Sequence, residues 1–457
     1  MNLIFFPIAL LMCLIFGFSL HLVSKPHKNV LLENTFAPEH LTHPSVTQLV
    51  KEYRKRILQL MALFSVASLL FLFNLSDSIT VTLFFVYLFS LIACCQLLEI
   101  HYIGRLRQLI VDQAWLLPID AVRIDTKIVQ EKNRQMLSLG WFLPTLVLMV
   151  GSGYQAWYSA DQATTIGVLL LNGCLLLLFL ALRWTIRGLP VRGIAGDSLI
   201  DQQINDLTKY YWSLTVVVLA TGTSLMLFIP LVSINAHGFW GVFMSMLFIL
   251  LTIGSILFSF LALLTLRKKQ DRLLNQADKP RYYGEDIYWR YGVYINPNDD
   301  RLFVPDRIGL NIGINLGKRS GQMIGIGTLI LLIGAMLIAI VPLYQLDFTA
   351  DPLQGQLVKD EVVFSAPFTT KTTVPVSAIE EVALIDSLPT PIVKKVGMAT
   401  SEYATGSFSV AGESAKLYVD LQAPTFLRIQ TNDQLIYYTN KDPEKTIALY
   451  QQLLQRE

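Results

Sequence analysis

Apolar residues in this chain gather into long blocks, and the polar residues between them form connections that alternate between long and short. Eight blocks, at roughly 1–23, 57–76, 79–98, 137–158, 164–183, 211–234, 239–265 and 321–345, reach the length that a helix needs to cross a bilayer, about 20 residues. The connections "SDS", "ADQ" and "NAHG" are short, whereas those at 24–56, 99–136, 183–210 and 266–320 are long. The first block, "MNLIFFPIALLMC", has no Lys or Arg ahead of it, unlike a secretory signal, so a retained helix starting outside is expected. After residue 346 the pattern shortens. "DEVVFSA", "TTVPVSAIEEVALID", "GSFSVA", "AKLYVDL", "FLRIQT" and "LIYYTN" read as strands, with a turn at Thr431-Asn432-Asp433-Gln434. "DPEKTIALYQQLLQR" then predicts a helix with Asp442 as N-cap, Pro443 at its first position, and a stripe of Ile447, Tyr450, Leu453 and Leu454. The expected fold class is an α-helical polytopic membrane protein of about eight spans, followed by a mainly-β domain: a curled antiparallel sheet closed by an amphipathic helix.

The stretch "DIYWRYGVYINPNDDRLFVPDRIGLNIGINLGKRSGQ", residues 286–322, breaks the apolar rhythm. Tyr291, Val293 and Ile295 alternate before "NPNDD", and Leu302 and Val304 alternate after it, which predicts a hairpin with Pro297 in its turn. "LNIGINLG" alternates again, with Ile312, Ile314 and Leu316 on one face and Asn311, Gly313, Asn315 and Gly317 on the other. Asp299, Asp300 and Asp306 lack the spacing of a calcium loop. Gly317, Gly321 and Gly325 recur every four residues, a spacing that permits close helix packing. The chain is thus divided into a bundle with spans 1–7 (1–285), a hairpin motif (286–320), a last span (321–345) and a C-terminal domain (347–457).

Charge adds sidedness. The long connections hold six, six, four and eleven Lys or Arg, and the short ones hold none. Basic residues flanking spans stay cytoplasmic. The long connections are therefore expected inside, with the N-terminus and the C-terminal domain extracytoplasmic in a multi-pass plasma-membrane protein. From Asp347 onward, 14 carboxylates face nine basic residues, so this domain suits neither anionic lipid nor nucleic acid. The whole chain is 53% hydrophobic and 15% charged, against about 25% charged in soluble domains. Cys13, Cys94, Cys95 and Cys174 all lie in apolar blocks, which leaves no disulfide for the aqueous parts.

Candidate chemistry is sparse. The block interiors carry no ionisable residue, with Glu99 and Arg183 only at their ends, which disfavours a proton-coupled carrier. Pro144, Pro230 and Gly151-Ser152-Gly153 could break helices, as transporters do. The blocks entered near 57, 137 and 211 hint at repeated hairpins. His40 and His43 are three apart but have no second pair, so no metal or cofactor is expected. His21, His101 and His237 sit near block ends. No zinc-protease, phosphate-loop or nucleophile-elbow motif is present, and no enzyme is expected.

"YWRYGVYINPNDDRLFVPDRIGLNIGINLG" resembles the signature of an uncharacterised family of Gram-positive multi-spanning membrane proteins, through Trp289, Gly292, Tyr294, Asn296, Pro297, Asp299, Arg301, Leu302, Phe303 and Val304. "ENTFAPEHLTHPSVTQLVKEYRKR" is similar to the segment after the first span in that family, with Ala37 departing from its pattern. The order of "VPVSAIEEVALIDSLP", "GSFSV", "KLYVDL", "FLRIQTNDQLIYYTN" and "DPEKTIALYQQLL" resembles bacterial pleckstrin-homology-like domains. That second resemblance implies a binding domain, with the exposed loop 387–405 as its candidate surface. The interaction candidates in the motif are Trp289, Tyr294, Asn296, Pro297, Asp299, Arg301 and Phe303. A non-enzymatic membrane scaffold or envelope sensor is the expected function, with the lipid bilayer and an envelope or membrane protein as partners. A small-solute transporter and a toxin-immunity protein are the alternatives.

Overall fold

The computed structural model describes all residues except 1, 74, 122–124, 160–161, 234–237, 278–280, 433 and 456–457. The short connections "ADQ" and "NAHG", His237 and the turn residue Asp433 therefore lie wholly or partly outside the described residues. In chain order come α1 (Asn2–Val23), β1 (Val30–Leu31), β2 (Asn34–Thr35), α2 (Pro44–Ala67), α3 (Asp77–Asp112), α4 (Thr126–Glu131), α5 (Leu143–Ser159), α6 (Gln162–Gly188), α7 (Ser198–Ser233) and α8 (Gly238–Leu274). They are followed by β3 (Phe303–Pro305), β4 (Ile312–Ile314) and α9 (Arg319–Phe348). Strands β5 (Gln354–Val358), β6 (Glu361–Ser365), β7 (Thr372–Pro375), β8 (Ile379–Ile385), β9 (Ile392–Ala399), β10 (Tyr403–Val410), β11 (Glu413–Asp420), β12 (Phe426–Thr431) and β13 (Leu435–Tyr438) lead to α10 (Pro443–Leu454).

Seven helices among the described residues are long and apolar enough to cross a membrane. The fourth expected block instead forms a 3-10 turn at Leu139–Phe142 that runs into the 17-residue α5. Pro144 is the second residue of α5 and opens that helix, so it is not the break that its apolar surroundings suggested. Prolines do fall within helices at Pro7, Pro230 and Pro342.

The chain divides into two compact units, one of residues 19–57 and 96–325, the other of 1–18, 58–95 and 326–457. In the first, α7 packs against α5, α6 and α8. Phe142, Phe179, Ile186, Val216, Val217 and Ala220 form its core. Polar pairs tie these helices: Thr145 bonds Thr221 at 3.1 Å, and Asn172 Nδ2 donates to Ser152 Oγ at 2.8 Å.

In the second unit, Tyr87 donates to the carbonyls of Ala9 and Phe64 at 3.3 and 3.2 Å, linking three apolar helices. Its β domain has two sheets. One is the antiparallel β5-β6-β7; the other runs β8-β12-β13-β11-β10-β9. The antiparallel expectation fails at one place: β13 lies between β12 and β11 and is parallel to β11, with Ala415 opposite Leu435 and Tyr418 opposite Tyr438. The β12–β13 hairpin forms as read, but its second strand slots in beside β11, and an antiparallel hairpin returning there must run parallel to β11. All four residues of β13 are buried, so it is covered on both faces. Leu353, Phe364, Tyr418, Leu427, Tyr438 and Leu449 fill the core between the sheets and α10.

Two further corrections concern this domain. Residues 387–405 are not a loop, because 392–399 form β9, an exposed end strand of the larger sheet. Its "IVKKVGMA" carries lysines and a glycine, so no period-two pattern announced it. Gly397 stands opposite Gly406, at φ of 137° and 117°, and a Cβ on Gly397 would fall 2.1 Å from the Thr405 carbonyl oxygen. In α10, Asp442 caps the first turn as expected by accepting from Glu444 N. The buried face, however, is Thr446, Leu449 and Leu453, while Ile447 and Leu454 are exposed. Thr446 sets this rotation, since its Oγ1 accepts from the Asn440 N–H.

Candidate functional site

The aromatic motif is built around one side chain. Asn315, fully buried, accepts from the Asn296 and Gly317 N–H groups and donates to the carbonyls of Asn296, Asp299 and Arg301. Asp299 takes Arg301 Nε on both its oxygens at 2.9 Å and accepts from Tyr294 Oη at 2.8 Å. These contacts overcome the cost of burial and hold the Asp299 carboxyl down at about 2. Trp289, Tyr294 and Val304 pack together beneath them. The expected pairing of 291–295 with 302–304 is absent. Glu285–Trp289 winds as a 3-10 turn, Gly292 takes φ 71°, and Phe303–Pro305 pairs with Ile312–Ile314. Gly317 and Gly321 face this knot: a Cβ would lie 2.4 Å from Asn296 C and 2.0 Å from Asn315 O. Of the sequence candidates, Trp289, Tyr294, Asn296, Asp299 and Arg301 thus meet one another, Phe303 is half-buried in β3, and Pro297 is exposed. Their polar groups are largely spent inside the motif.

A second cluster was not visible in the sequence. Between His27 and Thr35 the chain makes two successive tight hairpins, with Lys28-Asn29 and Leu32-Glu33 at their tips. All four tip residues have positive φ, from 44° to 61°, as primed hairpin turns require. Asn suits this region, but Leu and Glu do not, so backbone strain is held here. The hairpins are pinned from a distance. Thr35 donates through N and Oγ1 to Asp286 at 3.0 and 2.7 Å, and Arg307 bridges Asp286 at 2.8 Å and the Glu33 carbonyl at 2.7 Å. Arg107 reaches the same carboxylate at 3.5 Å. His27 Nδ1 meets Asp271 at 2.7 Å. Burial pushes His27 down to about 4, despite Asp271, and pushes Glu33 up to about 8, despite Arg307.

These hairpins form one wall of a cavity of about 950 Å³. Its other walls come from Leu117, Pro118 and Asp120, residues of the 189–209 segment, Ala277, residues 281–285 and residues 305–307. The volume is that of a small-molecule site. Most charged groups on its walls are engaged. Asp197 accepts from Leu199 N and Ile200 N at the start of α7, and Asp306 accepts from Gly309 N and Leu310 N. Burial raises Asp306 to about 6. Lys209 donates to the carbonyls of Ile186, Arg187 and Leu189, capping the end of α6. Two cations differ. Arg192 spends Nη1 on Glu285 at 3.3 Å, but its buried Nη2 has no hydrogen-bond partner. Lys28, half-buried on the cavity wall, has no hydrogen bond or ion pair at Nζ among the described residues. Burial first, and then the nearby Arg192 charge, bring its ammonium down to about 8.

Histidines 40 and 43 flank Trp115, one stacked at 4.5 Å and one edge-on at 4.8 Å between ring centres. No group of three or more His, Cys, Asp or Glu that could hold a metal ion occurs among the described residues. The chain matches no protein-family model, no curated protein and no solved structure.

Proposed function

We propose that the chain is a non-enzymatic scaffold or sensor of the cell envelope, an eight-span plasma-membrane protein with its four long connections in the cytosol. Its β domain, in this reading, lies outside and works as a pleckstrin-homology-like binding module for an envelope or membrane protein. The observation that carries the reading is that the four basic connections bond to one another. Arg134 of the second pairs with Asp206 of the third at 2.8 Å, Arg192 of the third with Glu285 of the fourth at 3.3 Å, and His27 of the first with Asp271 of the fourth at 2.7 Å. Segments separated by a hydrocarbon layer of about 30 Å could not do so.

The same contacts support an eighth crossing. Connections that meet on one side need an even number of crossings between them, and the 139–159 segment together with α6 would supply two. A four-residue 3-10 turn and a 17-residue helix together reach about 33 Å, enough for the hydrocarbon core. Tyr154, Trp157 and Tyr158, all exposed near the end of α5, suit an aromatic belt. Bonds of the β domain to the short connection "SDS", which has no Lys or Arg, support this reading: Ser78 N donates to Asp347 at 2.9 Å, and Ser401 to Asp77 at 2.7 Å. The two-sheet framework and the docked α10 are compatible with the pleckstrin-homology-like reading. The exposed β9, with Val393 and Val396 outward, offers a surface for a partner.

A photo-reactive amino acid placed at Val393 or Val396 of the full chain in living cells tests the role. A discrete cross-linked protein adduct is expected from at least one position. Absence of any adduct, together with solute flux by the purified chain in sealed vesicles, would replace the scaffold with a carrier.

A further inference from the structure

We propose that the cavity walled by the 27–35 hairpins is a binding site for a small anionic ligand, a phosphate- or carboxylate-bearing molecule whose charged group sits between Lys28 and Arg192. This goes beyond the scaffold reading and needs neither its sidedness nor the β domain.

Three observations converge. Buried donors in folded proteins are nearly always bonded, so an arginine N–H group left unpaired inside a wall calls for an absent acceptor. Arg192 Nη2 is such a group. On the same cavity wall the Lys28 ammonium has no hydrogen bond or ion pair among the described residues, and Arg192 acts on it as a like charge more strongly than Asp271 or Asp306 acts as an opposite one. Two cations held together in a poorly solvated space repel, and an anion between them relieves that cost. The arrangement is also held in place rather than accidental. Lys28 sits at positive φ at a hairpin tip, its own N–H is fixed by Asp271 at 2.8 Å, and Arg192 is oriented by Glu285. Strained backbone that is braced from several directions is characteristic of ligand clamps.

The remaining charges exclude the opposite polarity. Asp120, Asp197 and Asp306 each give one oxygen to backbone N–H groups, and Asp286 is shared by Arg107 and Arg307. Among the described residues no group of three or more carboxylates, His or Cys is placed to hold a metal ion. The volume of about 950 Å³ exceeds what a bare inorganic anion needs. Phe36, Tyr282 and Tyr283 on the walls supply surface for an apolar or aromatic body attached to the anion.

The test uses the full chain in nanodiscs of zwitterionic lipid, titrated with inorganic pyrophosphate and with citrate while the melting temperature is followed. Saturable stabilisation by at least one probe is expected. Lys28→Met and Arg192→Gln should each weaken it at least tenfold, Arg192→Lys should weaken it less, and Lys268→Gln, at an exposed basic residue away from the cavity, should leave it unchanged. Discs containing anionic lipid separate the two sources of such a group. If they raise the melting temperature of the parent but not of Lys28→Met, the ligand is a headgroup; a response to the soluble probes alone identifies a free solute. Variants that melt like the parent without probe retain their fold. No saturable response in either disc type, or equal responses in parent, Lys28→Met and Lys268→Gln, would overturn the proposal.

Discussion

Replacing Asn315 by Ala should unlock the aromatic motif. This side chain satisfies the Asn296 N–H at 3.0 Å and the Gly317 N–H at 3.0 Å, and it donates to three carbonyls at 2.8, 3.1 and 3.2 Å. The carbonyls can find other partners, but the Asn296 N–H is buried and cannot. An orphaned buried donor costs about 1–3 kcal/mol, so with the half-buried Gly317 N–H the total is about 2–4 kcal/mol. Each 1.4 kcal/mol is tenfold in an equilibrium, so the local opening should become about 30- to 1,000-fold easier. Hydrogen exchange of the full chain in nanodiscs, read on peptides spanning 294–318, measures this directly. Asn315→Asp should be worse than Asn315→Ala, because a carboxylate would face three carbonyl oxygens. Exchange at Asn296 and Gly317 within threefold of the parent would refute the view that Asn315 is the hub.

Gly397→Ala should lower the melting temperature of the β domain in the full chain, because its Cβ would meet the Thr405 carbonyl at 2.1 Å; an unchanged far-ultraviolet melt would contradict the glycine pairing. Arg307→Met should cost about 3–5 kcal/mol in chemical denaturation, since it leaves the buried Asp286 with Thr35 as donor and the more distant Arg107 as its paired cation. Asp286→Asn in the same background should then add little, because the two act as a pair. Stability should also depend on Glu33. Its folded pKa of about 8 lies above the 4.5 of an ordinary glutamate, so the folded state holds a proton that the unfolded state releases. That contribution is full below about 4.5 and is lost as pH rises toward 8. His27 acts in the opposite sense: buried neutral, it costs stability as pH falls from 6.5 toward 4. Melting of Glu33→Gln from pH 6.5 to 8, above the range of His27, should be flatter than that of the parent; parallel curves would remove Glu33 as the cause.

Hydrophobic periodicity was enough to read the long helices, because burying or lipid-facing apolar residues over 20 positions leaves a pattern that few other structures share. It misjudged α5, where a 3-10 turn takes part of the span, and Pro144, whose meaning depends on where the helix begins. In the β domain, strands with an alternating apolar face were legible, whereas β9 was hidden by Lys394, Lys395 and Gly397. The place of β13 beside β11 is a nonlocal choice with no local residue signature. The motif residues were found through their unusual chemistry, but the partner that organises them, Asn315, lies 19 residues from Asn296 and looked like one polar residue in an alternating run. The cavity was the least legible feature. Lys28, Arg192 and the pair Glu285 and Asp306 come from three different connections, and only the basic excess those connections share marked them as neighbours.

The central claim is that the four basic connections share one side of the membrane and the β domain occupies the other. Single cysteines at Ile119, Leu199 and Val396, all exposed, in a chain whose four native cysteines are replaced, test it most directly with a membrane-impermeant maleimide. In intact cells stripped of any outer barrier, the account predicts labelling at Val396→Cys alone, with Ile119→Cys and Leu199→Cys labelled only after the membrane is opened. Labelling of either connection in intact cells, or protection of Val396→Cys until lysis, would contradict it.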